Sequence, residues 1–161
     1  MSCSKAPPVS GDVFSVRVPG KGFVVGLVVK NDAKAEVVHS KEQVGKAYNA
    51  ILIHIYRDVY STEDGEEMLR SVNKKNILIP PATTNRLGWS RGVFNNFSKI
   101  ECLDDHLLDA YCFRSGSRFY DENGLRCAHS IPCGTLGLHS YLSIEDDILR
   151  ALDELEEGGR G

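Results

Sequence analysis

The stretch GDVFSVRVPGKGFVVGLVV, from Gly11 to Val29, constrains the fold of this chain more than any other. Phe14, Val16 and Val18 alternate with Ser15 and Arg17, and a period of two predicts a half-buried strand with the apolar set inward. Pro19-Gly20-Lys21-Gly22 then reverses the chain, because proline presets φ at the first corner and glycine accepts positive φ without steric cost. Phe23, Val25, Leu27 and Val29 form the inward set of the return strand. Gly26, in the opposite set, allows a bend or the close approach of another backbone. Asn31-Asp32 ends the strand, and no nucleophile, metal ligand or phosphate loop lies within the hairpin.

The remaining periodicities decide what covers it. Ala50–Tyr56 is β-branched and nearly continuously apolar, as suits a central strand buried on both faces. Ser61–Val72 predicts a short helix capped near Ser61 or Thr62 and weakened by Gly65. Asn76–Ile79 predicts a short strand that Pro80-Pro81 stop by removing ladder donors. Strand and loop are expected over Arg86–Lys99, a further strand over Tyr111–Arg114, and a turn region over Phe119–Arg126 around Asn123-Gly124. Near the C-terminus, Ile144, Ile148, Leu149, Leu152 and Leu155 recur on one helical face. Ser143 is the expected N-cap, with Asp146 completing a capping-box-like pair, acids in the first turn facing the helix dipole, and Gly158-Gly159 ending the helix. The expected fold is α+β and mainly antiparallel: a curved sheet or partly open barrel with a C-terminal amphipathic helix packed on it. A length of 161 residues suits one domain, divided into a flexible lead-in over 1–10, a single domain over 11–157 and a disordered tail over 158–161.

Charge is unevenly distributed. Between Ser143 and Glu157 seven acids face a single base, Arg150, so that segment carries −6 of a net −3 and leaves the remainder at +3. A solvated helix face and a surface for a basic partner both fit this pattern, whereas a duplex-binding domain is expected to be basic. The apolar runs Phe23–Val29 and Ala50–Ile53 are too short to span a bilayer, and MSCSKAPPVS has no apolar signal core, so the expected location is the cytoplasm. Five cysteines, an odd number, read as thiols rather than as a disulfide framework.

Cys102, His106, Cys112, Cys127, His129, Cys133 and His139 carry zinc-type ligands. No two of these cysteines stand at C-x₂₋₄-C spacing, the nearest approach being Cys127-Ala128-His129 with Cys133, and buried free thiols are the favoured reading. A cysteine nucleophile lacks any local signature. His54, inside the most apolar strand, reads as a core histidine, and Asp104-Asp105 with Asp109, like Asp121-Glu122, as solvated loops. Gly116, Gly124, Gly134 and Gly137 build no phosphate loop. Arg86–Lys99 interleaves Arg86, Arg91 and Lys99 with Trp89, Phe94 and Phe97. Single-stranded nucleic acid, a protein contact, or plain core remain open there.

The hairpin resembles the opening of the immunity protein 26 family, whose members begin with a G-D-[IV]-F strand, a glycine-bearing turn and a second strand with an aromatic and a glycine. Here these are Gly11, Asp12, Val13 and Phe14, then Gly20 and Gly22, then Phe23 and Gly26. Ala50–Tyr56, Asn76–Pro80, Gly88-Trp89 followed by Gly92, and a late helix occur in a compatible order, while the cysteine-rich stretch after Cys102 departs from the pattern. The resemblance implies a cytoplasmic protein that binds and blocks a cognate toxin domain in inter-bacterial competition, with no catalytic residue, cofactor or metal. Inhibition by occlusion uses a few anchors and a charged rim, for which the candidates are Trp89, Arg91, Tyr120, Asp121, Glu122, Glu145 and Asp146. A small β-barrel module for nucleic acid or a non-toxin protein is the alternative, and a thiol- or zinc-dependent enzyme the third.

Overall fold

A computed structural model of the protein describes residues 7–36 and 50–158. Most of the expected lead-in (residues 1–6) and of the expected tail (residues 159–161) lies outside the described residues. β1 (Asp12–Val18) and β2 (Gly22–Ala33) are the predicted hairpin. Pro19 and Gly20 occupy its corners, Gly20 at φ +77°, and the Lys21 N–H closes the turn on the Val18 carbonyl at 3.0 Å. The register sets Phe14 opposite Gly26 and Val16 opposite Val24. Directly opposed residues share a face, so Phe14, Val16 and Val18 join Val24 and Val28 in one core, while Val25, Leu27 and Val29 join Val13 in another. The expectation of a half-buried β1 with a single inward set is therefore corrected: even Ser15 is buried, because both faces of the sheet are covered.

β3 (Ala50–Tyr56) is buried along its whole length, as its sequence requires. α1 (Gly65–Leu69) is shorter than expected and is capped by Asp64, whose carboxylate accepts from the Glu67 N–H. The chain cannot turn helical at Ser61 because Tyr60 is still held extended against Phe23 by two backbone hydrogen bonds of 2.8 Å. β4 (Ile77–Thr84) runs through both prolines instead of stopping at them. Ile53 pairs with Ala82 but Ile55 with Ile79, so β4 carries one extra residue at Pro80-Pro81, and a bulge is where a strand tolerates missing donors.

α2 (Leu87–Ser90) and β5 (Phe94–Lys99) follow, then β6 (Cys112–Ser115), β7 (Arg118–Tyr120), β8 (Cys133–Thr135), β9 (Leu138–His139) and α3 (Tyr141–Gly158). The larger sheet has the order β5-β1-β2-β3-β4-β9 and the smaller β7-β6-β8. Pairing is antiparallel except for β9 on β4 and β8 on β6. The fold is thus the expected α+β type, realised as an open sheet. One face is covered by Ile144, Ile148 and Leu152 of α3, the other by Met68 of α1 and by Tyr111 and Phe113 around β6. No helix of the described residues is long and apolar enough to cross a membrane.

The start of α3 differs from expectation. Ser140 is the N-cap: its hydroxyl accepts from the Ser143 N–H at 3.0 Å and its carbonyl from the Ile144 N–H at 3.0 Å. The first turn then holds no acid, and the acids from Glu145 onward are too far along to gain from the dipole, whose effect fades within a turn. Ser140→Ala is expected to lower stability by about 1 kcal/mol, read as a shift in urea midpoint at constant m-value. Ser143→Ala is expected to leave it nearly unchanged, and the reverse order would restore Ser143 as the cap.

Candidate functional site

The residues that carry the hairpin motif converge on one aromatic cluster. The Phe14 ring lies over Gly26 across the β1–β2 pair, so closely that a Cβ on Gly26 would come within 2.5 Å of Phe14 Cε2. Phe14 also meets Phe94 with centroids 5.2 Å apart and Trp89 edge-on at 5.0 Å. Gly88 makes the same kind of room for Phe94, whose Cδ2 would sit 2.5 Å from an added Cβ. Trp89 Nε1–H donates to Asn96 Oδ1 at 2.8 Å, the Asn96 amide donates to Asp12 Oδ2 at 3.2 Å, and that oxygen also accepts from the Val9 N–H. Asp12, Phe14, Gly26, Gly88 and Trp89 are therefore one packed and hydrogen-bonded unit that fixes α2 and β5 on β1. A model of the immunity protein 26 family matches residues 9–118, which contain all of them.

This chain belongs to the immunity protein 26 family.

The matched residues run from just before β1 to the first residue of β7, so α3 lies beyond them. No curated protein and no solved structure matches the chain.

The candidate contact residues divide into two groups in the structure. Trp89 is half-buried over the core that α3 also covers, and Arg91, at the end of α2, is exposed. On α3, Asp146 is exposed and Glu145 half-buried. Tyr120 belongs instead to the smaller sheet, whose Phe113 packs into the opposite core, and Asp121 and Glu122 lie in the turn that follows β7. Tyr120 is only 7% exposed and pairs with Phe113, so the expectation of a surface anchor there is corrected: the alternation of β7 turns this ring inward. Asp121 Oδ1 accepts from the N–H groups of Asn123 and Leu125, at 2.9 and 3.1 Å, and is spent on closing its own turn.

The outer part of α3 concentrates the acid. Asp146, Asp153, Glu154, Glu156 and Glu157 are exposed, and only part of this charge is met within the fold. Lys21, at the hairpin tip, reaches Asp153 at 2.9 Å and Glu156 at 2.8 Å, and these partners, Glu156 first, raise its pKa. No sequence signal points to this contact, because 135 positions separate Lys21 from Glu156. An open groove of about 360 Å³ separates α3 from the β4 edge, with Pro81, Thr135, His139, Arg150 and Glu154 among its walls.

The reactive side chains are distributed otherwise than their density in the sequence implies. Cys112 and Cys133 face each other across β6 and β8 with sulfurs 2.8 Å apart, and Cys127 lies beside them. Cys102 is exposed, His139 Nε2 bonds the Thr135 carbonyl, and the His129 ring lies against Phe119. Among the described residues no group of three or more Cys, His, Asp or Glu side chains is arranged to hold a metal. His54 is fully buried between the hydroxyls of Tyr111, 2.9 Å from Nε2, and Tyr56, 3.2 Å from Nδ1, and loss of solvation holds its pKa down to about 4. The Arg86–Lys99 aromatics point inward, with Phe94 fully buried and Trp89 and Phe97 packed against the two cores, so they do not form a stacking platform for bases.

Proposed function

We propose that this protein neutralises a cognate toxin domain in the cytoplasm by stoichiometric occlusion, using the acidic outer face of α3, with Trp89 and Arg91 as further contacts, against a largely basic surface. Membership of the immunity protein 26 family carries the reading. The charge supports the choice of face: α3 is anchored by Ile144, Ile148 and Leu152, presents Asp146, Glu154 and Glu157 to solvent, and exposes Leu142 at 57% one turn before Asp146. An exposed apolar side chain beside a charged helix face has the composition of a recognition surface, and the charge steers encounter more than it tightens binding.

Co-expression with the toxin encoded beside it is expected to restore growth, and the purified pair to form a one-to-one complex. Failure of both overturns the immunity reading. Asp146→Lys combined with Glu157→Lys should slow association about tenfold or more at low ionic strength, with the difference shrinking in high salt. An unchanged association rate at every salt concentration would remove α3 from the contact while leaving the immunity role intact.

A further inference from the structure

We propose that Cys112 and Cys133 are a redox-closing pair, which a low-molecular-weight disulfide such as glutathione disulfide converts into a Cys112–Cys133 disulfide that clips β8 to β6. The two residues are direct register partners on neighbouring strands, Cys112 opposite Cys133 and Phe113 opposite Gly134. Their sulfurs stand 2.8 Å apart, well inside the separation of about 3.5–4.0 Å that even the smaller carbon atom prefers. Neighbouring backbones and converging side chains are what a disulfide requires without movement of the chain.

Access sets the order of events. Cys133 is half-buried and Cys112 only 2% exposed, so Cys133 meets the oxidant first. Its thiolate attacks glutathione disulfide, forming a mixed disulfide and releasing one glutathione thiolate. Cys112, deprotonated in turn, attacks the Cys133 sulfur, forms the internal bond and expels the second glutathione. The protein loses two electrons and two protons, and one glutathione disulfide becomes two glutathione thiols. Burial raises the pKa of Cys133, so only a small thiolate fraction reacts at neutral pH and closure is slow.

The clip has mechanical content. It spans 21 positions and encloses β7 and the Asp121–Leu125 turn, which short strands otherwise hold. Gly134 sits against the Pro81 carbonyl, where a Cβ would come within 2.5 Å, so fixing β8 to β6 also fixes the smaller sheet to β4. The inference is independent of the toxin-binding reading.

The full chain, equilibrated with glutathione buffers of increasing oxidised fraction, acid-quenched, alkylated and mapped by peptide mass, should yield a linked Cys112–Cys133 peptide pair. Its Tm should rise by about 5 °C or more and return with dithiothreitol. Cys127→Ser should retain the link, and Cys133→Ser should lose both the link and the Tm rise. Full alkylation of Cys112 and Cys133 after oxidation, a persistent glutathione adduct on Cys133, or a link through Cys127 instead would each overturn the proposal.

Discussion

Phe14→Ala is expected to destabilise the protein by about 3–5 kcal/mol, the range for removing a fully buried phenylalanine. The reason is specific to this site. Phe14 is 0% exposed and is packed against Gly26, Trp89 and Phe94 at once. Truncation leaves a cavity above a glycine that has no side chain to fill it, and removes the aromatic contacts that anchor α2 and β5. Against a total stability of about 5–15 kcal/mol, the variant should unfold at a much lower urea concentration with an unchanged m-value. Gly26→Ala probes the same contact from the other side, since its new methyl would overlap the Phe14 ring, and overpacking costs about 1–3 kcal/mol. A loss below 1 kcal/mol for Phe14→Ala would show that the cluster is not the anchor described.

Acid should weaken the protein through His54. Its folded pKa of about 4 lies below the ordinary 6.5, first because of burial and second because of the neighbouring His106. The unfolded chain therefore binds a proton that the folded state refuses between these two values. Stability contributed by this group is complete above about pH 6.5, falls as pH drops, and is fully lost once pH passes below about 4. At 1.36 kcal/mol per pH unit, the loss reaches about 3 kcal/mol. Urea midpoints at pH 7, 6, 5 and 4 for the wild type and for His54→Gln separate this from carboxylate titration: the variant should lack one proton's worth of slope, about 1.36 kcal/mol per unit. Equal slopes in the two proteins would mean that His54 titrates normally. Tyr56 and Tyr111, the hydroxyls on either side, do not compete in this window, because burial raises both, Tyr111 to about 12.

Much of the fold is legible in local pattern. The β1–β2 hairpin, the turn at Pro19-Gly20, the buried β3 and the apolar stripe of α3 all follow from spacing, because each depends on residues within one or two turns of chain. The errors have a common origin. Ser143 satisfies the N-cap rule as well as Ser140 does, and only the path of the chain out of β9 selects Ser140. Pro80-Pro81 looks like a stop, but a bulge against β3 absorbs it. The two-sided burial of β1 is invisible from its own alternation, since a serine such as Ser15 looks the same under a second layer as in water.

The candidate surface is legible only in part. Seven acids in fifteen residues mark α3 as unusual, but their number does not say which point outward or that Lys21 neutralises some of them. Tyr120 looks like an anchor by residue type and is turned into the core by its strand. Among the thiols, sequence spacing favours Cys127 with Cys133, whereas parallel register selects Cys112 as the partner of Cys133.

By itself the sequence determined the order of elements, the family hairpin and the acidic C-terminal helix, because these are encoded by residues close together along the chain. Only the tertiary structure decided that Phe14, Gly26, Gly88 and Trp89 form one cluster, that His54 is buried between two tyrosines, and that Cys112 meets Cys133. Each of those contacts joins distant segments through strand register and layer packing, and register depends on the whole sheet rather than on any one strand.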